Sequence, residues 1–194
     1  MNKFSVAFLL VASITSVLAD SHKPKVPNDV CHIKATDDEG VLVHIKALVA
    51  TTEDEHEIYN VKMIPSEKGL SERQIKAFTP DGRILEIKAH NSDRKNGLIG
   101  VNVVDGEKLI DIKGLKSLKS GEKGWDVVAV DSADSILKVV VIDLNGKQLP
   151  IRAFCSERRV YIIKAVRVST TSKDGVYDIR AYEEMRTRRP QNMY

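Results

Sequence analysis

The residues of this chain with the means to do chemistry are two cysteines, five histidines, two acidic clusters and a set of basic residues held in a recurring triplet. Cys31 and Cys155 are the only cysteines. They lack the C-x-x-C spacing of a redox pair, and a zinc site needs about four ligands. In an oxidising compartment a single pair favours a disulfide; two buried free thiols are the competing arrangement. Cys31 shares its parity with Ile33 and Ala35, and Cys155 with Ile151 and Ala153, so both are expected to point inward and to bridge.

His22, His32, His44, His56 and His90 all fall in the amino-terminal half. His32, His44 and His90 have the outward parity of their strands, and on neighbouring strands three imidazoles could converge on a metal. The plainer expectation is three scattered, half-exposed side chains. Glu53, Asp54, Glu55 and Glu57 form one acidic cluster and Asp126, Asp131 and Asp134 a looser one. Neither follows the Asp-x-Asp-x-Asp-Gly calcium loop, so both are expected to be solvated turns. No Gly-x-Ser-x-Gly elbow and no glycine-rich phosphate loop occurs. Neither a catalytic role nor a cofactor is therefore expected.

The triplet Ile-Lys/Arg-Ala begins at Ile33, Ile45, Ile75, Ile87, Ile151, Ile163 and Ile179. Its central residue is always basic: Lys34, Lys46, Lys76, Lys88, Arg152, Lys164 and Arg180. If isoleucine and alanine point into a core, these seven point out. Strands lie ~4.8 Å apart, so copies on neighbouring strands would bring several cations within one Debye length, where their fields add. The ligand that follows is a polyanion: a sulfated glycosaminoglycan, an acidic protein or an anionic membrane surface. The rival expectation is ordinary solvent-facing lysine, neutralised by Glu86 and Asp178, each two residues from a triplet base, or placed on edge strands to prevent aggregation.

The elements that must position these groups read as strands of period two. In Gly82–His90, after the turn signal Pro80-Asp81-Gly82, Leu85, Ile87 and Ala89 share one face and Glu86, Lys88 and His90 the other. Similar alternation recurs from Val30 to Tyr182 and predicts about ten to twelve short, mostly antiparallel strands. Between Gly114 and Gly124 the strand character is weak, and Leu115 and Leu118 suit one helical turn or a loop equally. Gly40, Gly82 and Gly124 lie 42 residues apart and each opens a strand, which suits a β-trefoil; Gly146 and Gly175 break that period. The expected fold is a single all-β sandwich, with a β-trefoil or other closed barrel as the alternative. Trp125, the only tryptophan, opens an apolar strand and is expected in the core rather than on a sugar-stacking platform.

Residues 1–19 read as a signal peptide: Lys3, an uncharged run from Phe4 to Leu18, and Val17-Leu18-Ala19 at the cleavage position. The run is short of the ~20 residues that span a bilayer, so no transmembrane anchor is expected. Lys3 is the one charge in that segment, so its removal takes the net charge from +3 to +2. This balance gives no case for nucleic acid. Residues 20–29 form an arm, 30–182 the β domain and 183–194 a flexible basic tail. In the tail Arg186-Thr-Arg-Arg189 has convertase spacing that Pro190 opposes. The chain has no N-glycosylation sequon. These features predict a secreted, non-enzymatic binding protein that acts on an extracellular protein or glycosaminoglycan. A self-associating matrix component and a hydrolase or inhibitor with an unrecognised active loop are the rival classes.

Overall fold

The computed structural model describes residues 31–52, 55–64, 72–90, 98–119, 124–130, 136–155, 159–168 and 175–184. The expected signal peptide, the arm, the Arg186–Arg189 motif, His22, Glu53, Asp54, Asp131 and Asp134 lie outside the described residues. Twelve strands follow in order: β1 (Cys31–Thr36), β2 (Leu42–Ala50), β3 (His56–Ile64), β4 (Glu72–Phe78), β5 (Ile84–His90), β6 (Ile99–Asp105), β7 (Lys108–Leu115), β8 (Trp125–Val130), β9 (Leu137–Ile142), β10 (Gln148–Phe154), β11 (Val160–Arg167) and β12 (Val176–Glu183). All ladders are antiparallel and belong to one hydrogen-bonded sheet, and the described residues include no helix. The all-β expectation holds. β7 extends through Gly114 and Leu115, and Leu118 follows it in irregular chain.

The triplet explains the core. One side chain from each strand, eight isoleucines and four valines, surrounds an apolar void of about 20 Å³ at the centre of the molecule. All seven triplet isoleucines are among them. The alanine two residues further on is buried in every copy. Where two triplets pair in full, antiparallel register sets large against small: Ile33 faces Ala153 and Ala35 faces Ile151, while Ile163 faces Ala181 and Ala165 faces Ile179. Facing isoleucines would overfill the layer and facing alanines would leave gaps, so the alternation packs it densely.

Each strand bonds to three others instead of the usual two, because successive parts of its length serve different ladders. The strands group into four trios, β1–β2–β3, β4–β5–β12, β6–β7–β8 and β9–β10–β11, and all three pairings occur within each trio. The remaining ladders join every trio to each of the others, and the ring β2–β3–β4–β5–β6–β7 closes through β2–β7. This closed, barrel-like pairing lacks the threefold repeat of a trefoil. β4–β5 and β8–β9 ladders exist, and no β12–β1 ladder completes the set among the described residues.

The 42-residue glycine spacing has a different basis. Gly40, Gly82 and Gly146 take positive φ (79°, 90° and 79°) in three turns with the same hydrogen bonds: Asp37 to Val41, Thr79 to Arg83 and Asp143 to Lys147. Gly124 is a glycine for lack of space, since a Cβ there would lie 2.4 Å from Lys113 Cβ. The equivalent turns therefore start β2, the Gly82 strand and β10. Cys31 and Cys155 are bonded as expected, with Cα atoms 4.4 Å apart, tying the start of β1 to the end of β10.

Candidate functional site

Register within each trio is cyclic. Let c be the isoleucine or valine that a strand sends to the central void. The residue at c+1 on one strand then lies opposite c−1 on the next, so six positions facing away from the void alternate around each three-strand junction. In β1–β2–β3 the pairs are Lys34 with His44, Lys46 with Asn60 and Lys62 with His32. In β4–β5–β12 they are Lys76 with Glu86, Lys88 with Asp178 and Arg180 with Gln74. In β6–β7–β8 they are Asn102 with Asp111, Lys113 with Asp126 and Val128 with Gly100. In β9–β10–β11 they are Arg152 with Ile162, Lys164 with Lys138 and Val140 with Pro150.

The seven triplet bases therefore do not form one face. Lys34 and Lys46 stand at the first junction, Lys76, Lys88 and Arg180 at the second, and Arg152 and Lys164 at the last. At the second junction the neutralisation that Glu86 and Asp178 suggested is present, within their own strands (Glu86 to Lys88 at 3.8 Å, Asp178 to Arg180) and also between strands. Lys76 bonds Glu86, Lys88 bonds Asp178, and Arg180 bonds Glu72 and, at 2.8 Å, Asp178. Burial is the largest influence on Asp178 and works to raise its pKa. The hydrogen bonds from Lys88 and Arg180 overcome it and hold the carboxyl below its ordinary value. At β9–β10–β11 the third c+1 position is Val140. Lys164 lies over the Tyr182 ring at 5.8 Å, and Arg152 Nε is 3.9 Å from Glu184. At β6–β7–β8, Lys113 bonds Asp126 at 2.6 Å and lies 3.4 Å from Asp111.

The first junction is different. Lys34, Lys46 and Lys62 each come from a separate strand, and none has a carboxylate at ion-pair distance among the described residues. Lys46 donates to Asn60 Oδ1, and Lys62 lies over the Phe78 ring at 5.3 Å. The ladders leaving the junction set each lysine against another base: Lys34 faces Arg152, while Lys46 faces Lys113 and Lys62 faces Lys76, which are paired with Asp126 and Glu86. Burial, then Lys62 and Lys34, push the Lys46 pKa below its ordinary value. His32 is lowered by burial and then by Lys34, Lys62 and Lys46. His44 is lowered by burial and then by Lys34, Lys46 and His32. The same small group of positive charges thus depresses all three groups.

Sequence reasoning missed Lys62, because Val61-Lys62-Met63 departs from the isoleucine–alanine pattern while keeping its parity. Of the outward histidines, His32 and His44 meet at this junction, whereas His90 lies on β5 opposite Val176. Among the described residues no three His, Cys, Asp or Glu side chains are arranged to hold a metal ion. Trp125 is partly buried, packs against the core and carries Lys116 over its ring at 5.0 Å. A separate groove of about 630 Å³ opens where β2 and β7 diverge, between Leu48, Ala50, His56, Leu109 and Asp111.

No curated protein and no solved structure matches this chain. A family model matches residues 57–183, from β3 to the end of β12, so that β1 and β2 precede the matched span. The chain belongs to the family of unknown function DUF7486.

Proposed function

We propose that this protein is a secreted, non-enzymatic binding protein that recognises a polyanionic extracellular macromolecule, a sulfated glycosaminoglycan before others, through the β1–β2–β3 junction. One observation carries the reading. The same register puts a cation at all three c+1 positions of two junctions; at β4–β5–β12 strand carboxylates neutralise them, and at β1–β2–β3 no described carboxylate does. Holding three ammonium groups together without counter-charge costs stability, and a ligand that supplies the charge recovers it. The closed sheet fixes the positions from which the three lysines project, so on binding it is the side chains and not the backbone that must order. The reading of residues 1–19 as a signal peptide and the Cys31–Cys155 disulfide support secretion, since such bonds form and persist in oxidising compartments. No helix among the described residues is long and apolar enough to cross a membrane.

The test is retention of the full secreted chain on immobilised heparin across a salt series. Elution above physiological ionic strength, shifted to lower salt by Lys34→Gln, Lys46→Gln and Lys62→Gln together, is the expected result. Elution of the native protein below physiological ionic strength would overturn the reading.

A further inference from the structure

The second junction shows where an anion sits in this geometry. Asp178, opposite Lys88 on the neighbouring strand, bonds both Lys88 and Arg180, so one carboxylate bridges two cations of the ring. Glu86 does the same for Lys76 and Lys88, the latter at 3.8 Å. Negative oxygen thus belongs in the gaps between successive c+1 cations. At the first junction those gaps hold His44, Asn60 and His32, which carry hydrogen-bonding nitrogen and no negative charge. Asn60 accepts from Lys46 through Oδ1, which leaves its amide nitrogen free to donate. Three cations on three strands, alternating with three groups able to donate, make a ring of threefold pattern.

We propose that the β1–β2–β3 junction is a threefold seat for one tetrahedral oxyanion ester, a sulfate group carried on a glycan, with one oxygen directed to each of Lys34, Lys46 and Lys62. The assignment rests on the polyanion reading above and narrows it from charge to shape. A sulfate ester presents three terminal oxygens about one axis, which the ring matches one to one. A planar carboxylate presents two, and leaves one ammonium of the ring without a partner. The seat therefore favours sulfated over merely carboxylated polymers of equal charge, through the number of charge-assisted contacts one ester group can make.

The experiment measures equilibrium binding of a heparin oligosaccharide and of a polyglutamate of equal total charge to the full secreted chain at physiological salt. The heparin fragment is expected to bind at least about tenfold more tightly, the scale of one charge-assisted hydrogen bond. Inorganic sulfate is expected to compete beyond the effect of sodium chloride at the same ionic strength. Asn60→Asp, which sets an internal carboxylate beside Lys46 without changing shape, is expected to weaken heparin binding by about tenfold. So is the triple glutamine variant of Lys34, Lys46 and Lys62. A control away from the first junction, Lys138→Gln with Lys164→Gln at the β9–β10–β11 junction, is expected to weaken it less than about threefold, through the general field alone. Equal affinity for the two polymers, or an equal loss in the control, would overturn the seat while leaving a polyanion-binding protein. Failure of the native chain to bind either polymer would overturn the seat and the underlying reading together. Should the triple variant not fold, Asn60→Asp decides alone, with unchanged heparin affinity as the contrary result.

Discussion

The β1–β2–β3 and β4–β5–β12 junctions share strand number, hand of register and three central cations, and they differ in the residues at c−1. His32, His44 and Asn60 occupy those positions in one, and Gln74, Glu86 and Asp178 in the other. The backbone holds each trio together through the same kind of ladder, so charge balance at a junction is a side-chain option and not a requirement of the fold. Where the option is taken, the cations stabilise the sheet. Where it is not, they oppose it, and the arrangement makes physical sense only with an external anion or at a tolerated cost in stability.

The disulfide gives the largest test of this contrast. It closes a separation of 124 residues and anchors β1 of the first junction, while the second junction holds neither cysteine. The chain-entropy estimate for such a loop is about 5 kcal/mol, model-dependent and reduced by any strain. Reduction is expected to lower the melting temperature and to remove amide-exchange protection from β1 before β4, β5 and β12. Equal loss of protection at the two junctions would show that the bridge does not serve the first in particular.

Asp178→Asn comes next. It leaves Lys88 and Arg180, both partly buried, without a shared carboxylate, and should cost about 1–2 kcal/mol, more than an exposed pair and less than a fully buried one. Urea unfolding would measure it. A change within error would mean that the second junction is no better balanced than the first.

Acidification should separate the two junctions by pH. His32 and His44 titrate below their ordinary value of 6.5 in the folded chain, through burial and the neighbouring lysines. The unfolded chain then binds protons at higher pH than the folded one. Their contribution to stability is whole above 6.5 and is lost as pH falls from there through the folded-state values. Asp178 is lowered from 3.8, chiefly by Lys88 and Arg180 against the effect of burial, so its contribution persists until pH falls below 3.8. Thermal melts between about pH 7.5 and 5.5 should show a decline that His32→Gln with His44→Gln removes. A decline that survives both substitutions would place its origin elsewhere.

Much of this was legible in the sequence, and what was not has a common cause. Seven triplets gave the strands, their inward faces and the inward parity of Cys31 and Cys155, since period two depends only on local order. The other strands carry the same device in looser form: Val61-Lys62-Met63, Val101-Asn102-Val103, Ile112-Lys113-Gly114, Val127-Val128-Ala129 and Val139-Val140-Val141. Insisting on alanine hid that shared device, though the strands themselves were legible from their alternation and apolar runs. Gly114 replaces it where a Cβ would come within 2.8 Å of Val43 Cγ1 and 2.9 Å of Val141 Cγ1. Strand order was beyond reach because the alternation shared by all twelve strands shows which face a residue takes and not which strand lies beside it. Glu86 and Asp178 were recognisable as partners of Lys88 and Arg180, two residues away on the same strands, but their bonds to Lys76 and Lys88 cross ladders that only the three-dimensional pairing defines.

The smallest effect carries the contrast in sign. Lys46→Gln removes a charge whose pKa is already depressed by burial, Lys62 and Lys34, and glutamine can keep a hydrogen bond to Asn60. Relieving like-charge repulsion on a sheet is worth about 0.2–1 kcal/mol, and the shorter stem gives back part of it through lost packing. A gain of a few tenths of a kcal/mol is therefore expected at low ionic strength, shrinking as salt screens the repulsion. Lys88→Gln, at the equivalent position of the second junction, removes a cation bonded to Asp178 and should lose stability under the same conditions. Opposite signs for two chemically identical substitutions at equivalent positions would show that the lysines of the first junction are retained against stability, the usual mark of a group kept for binding. Loss of stability in both would mean that Lys46 has a counter-charge after all, and the case for an external anion would fall with it.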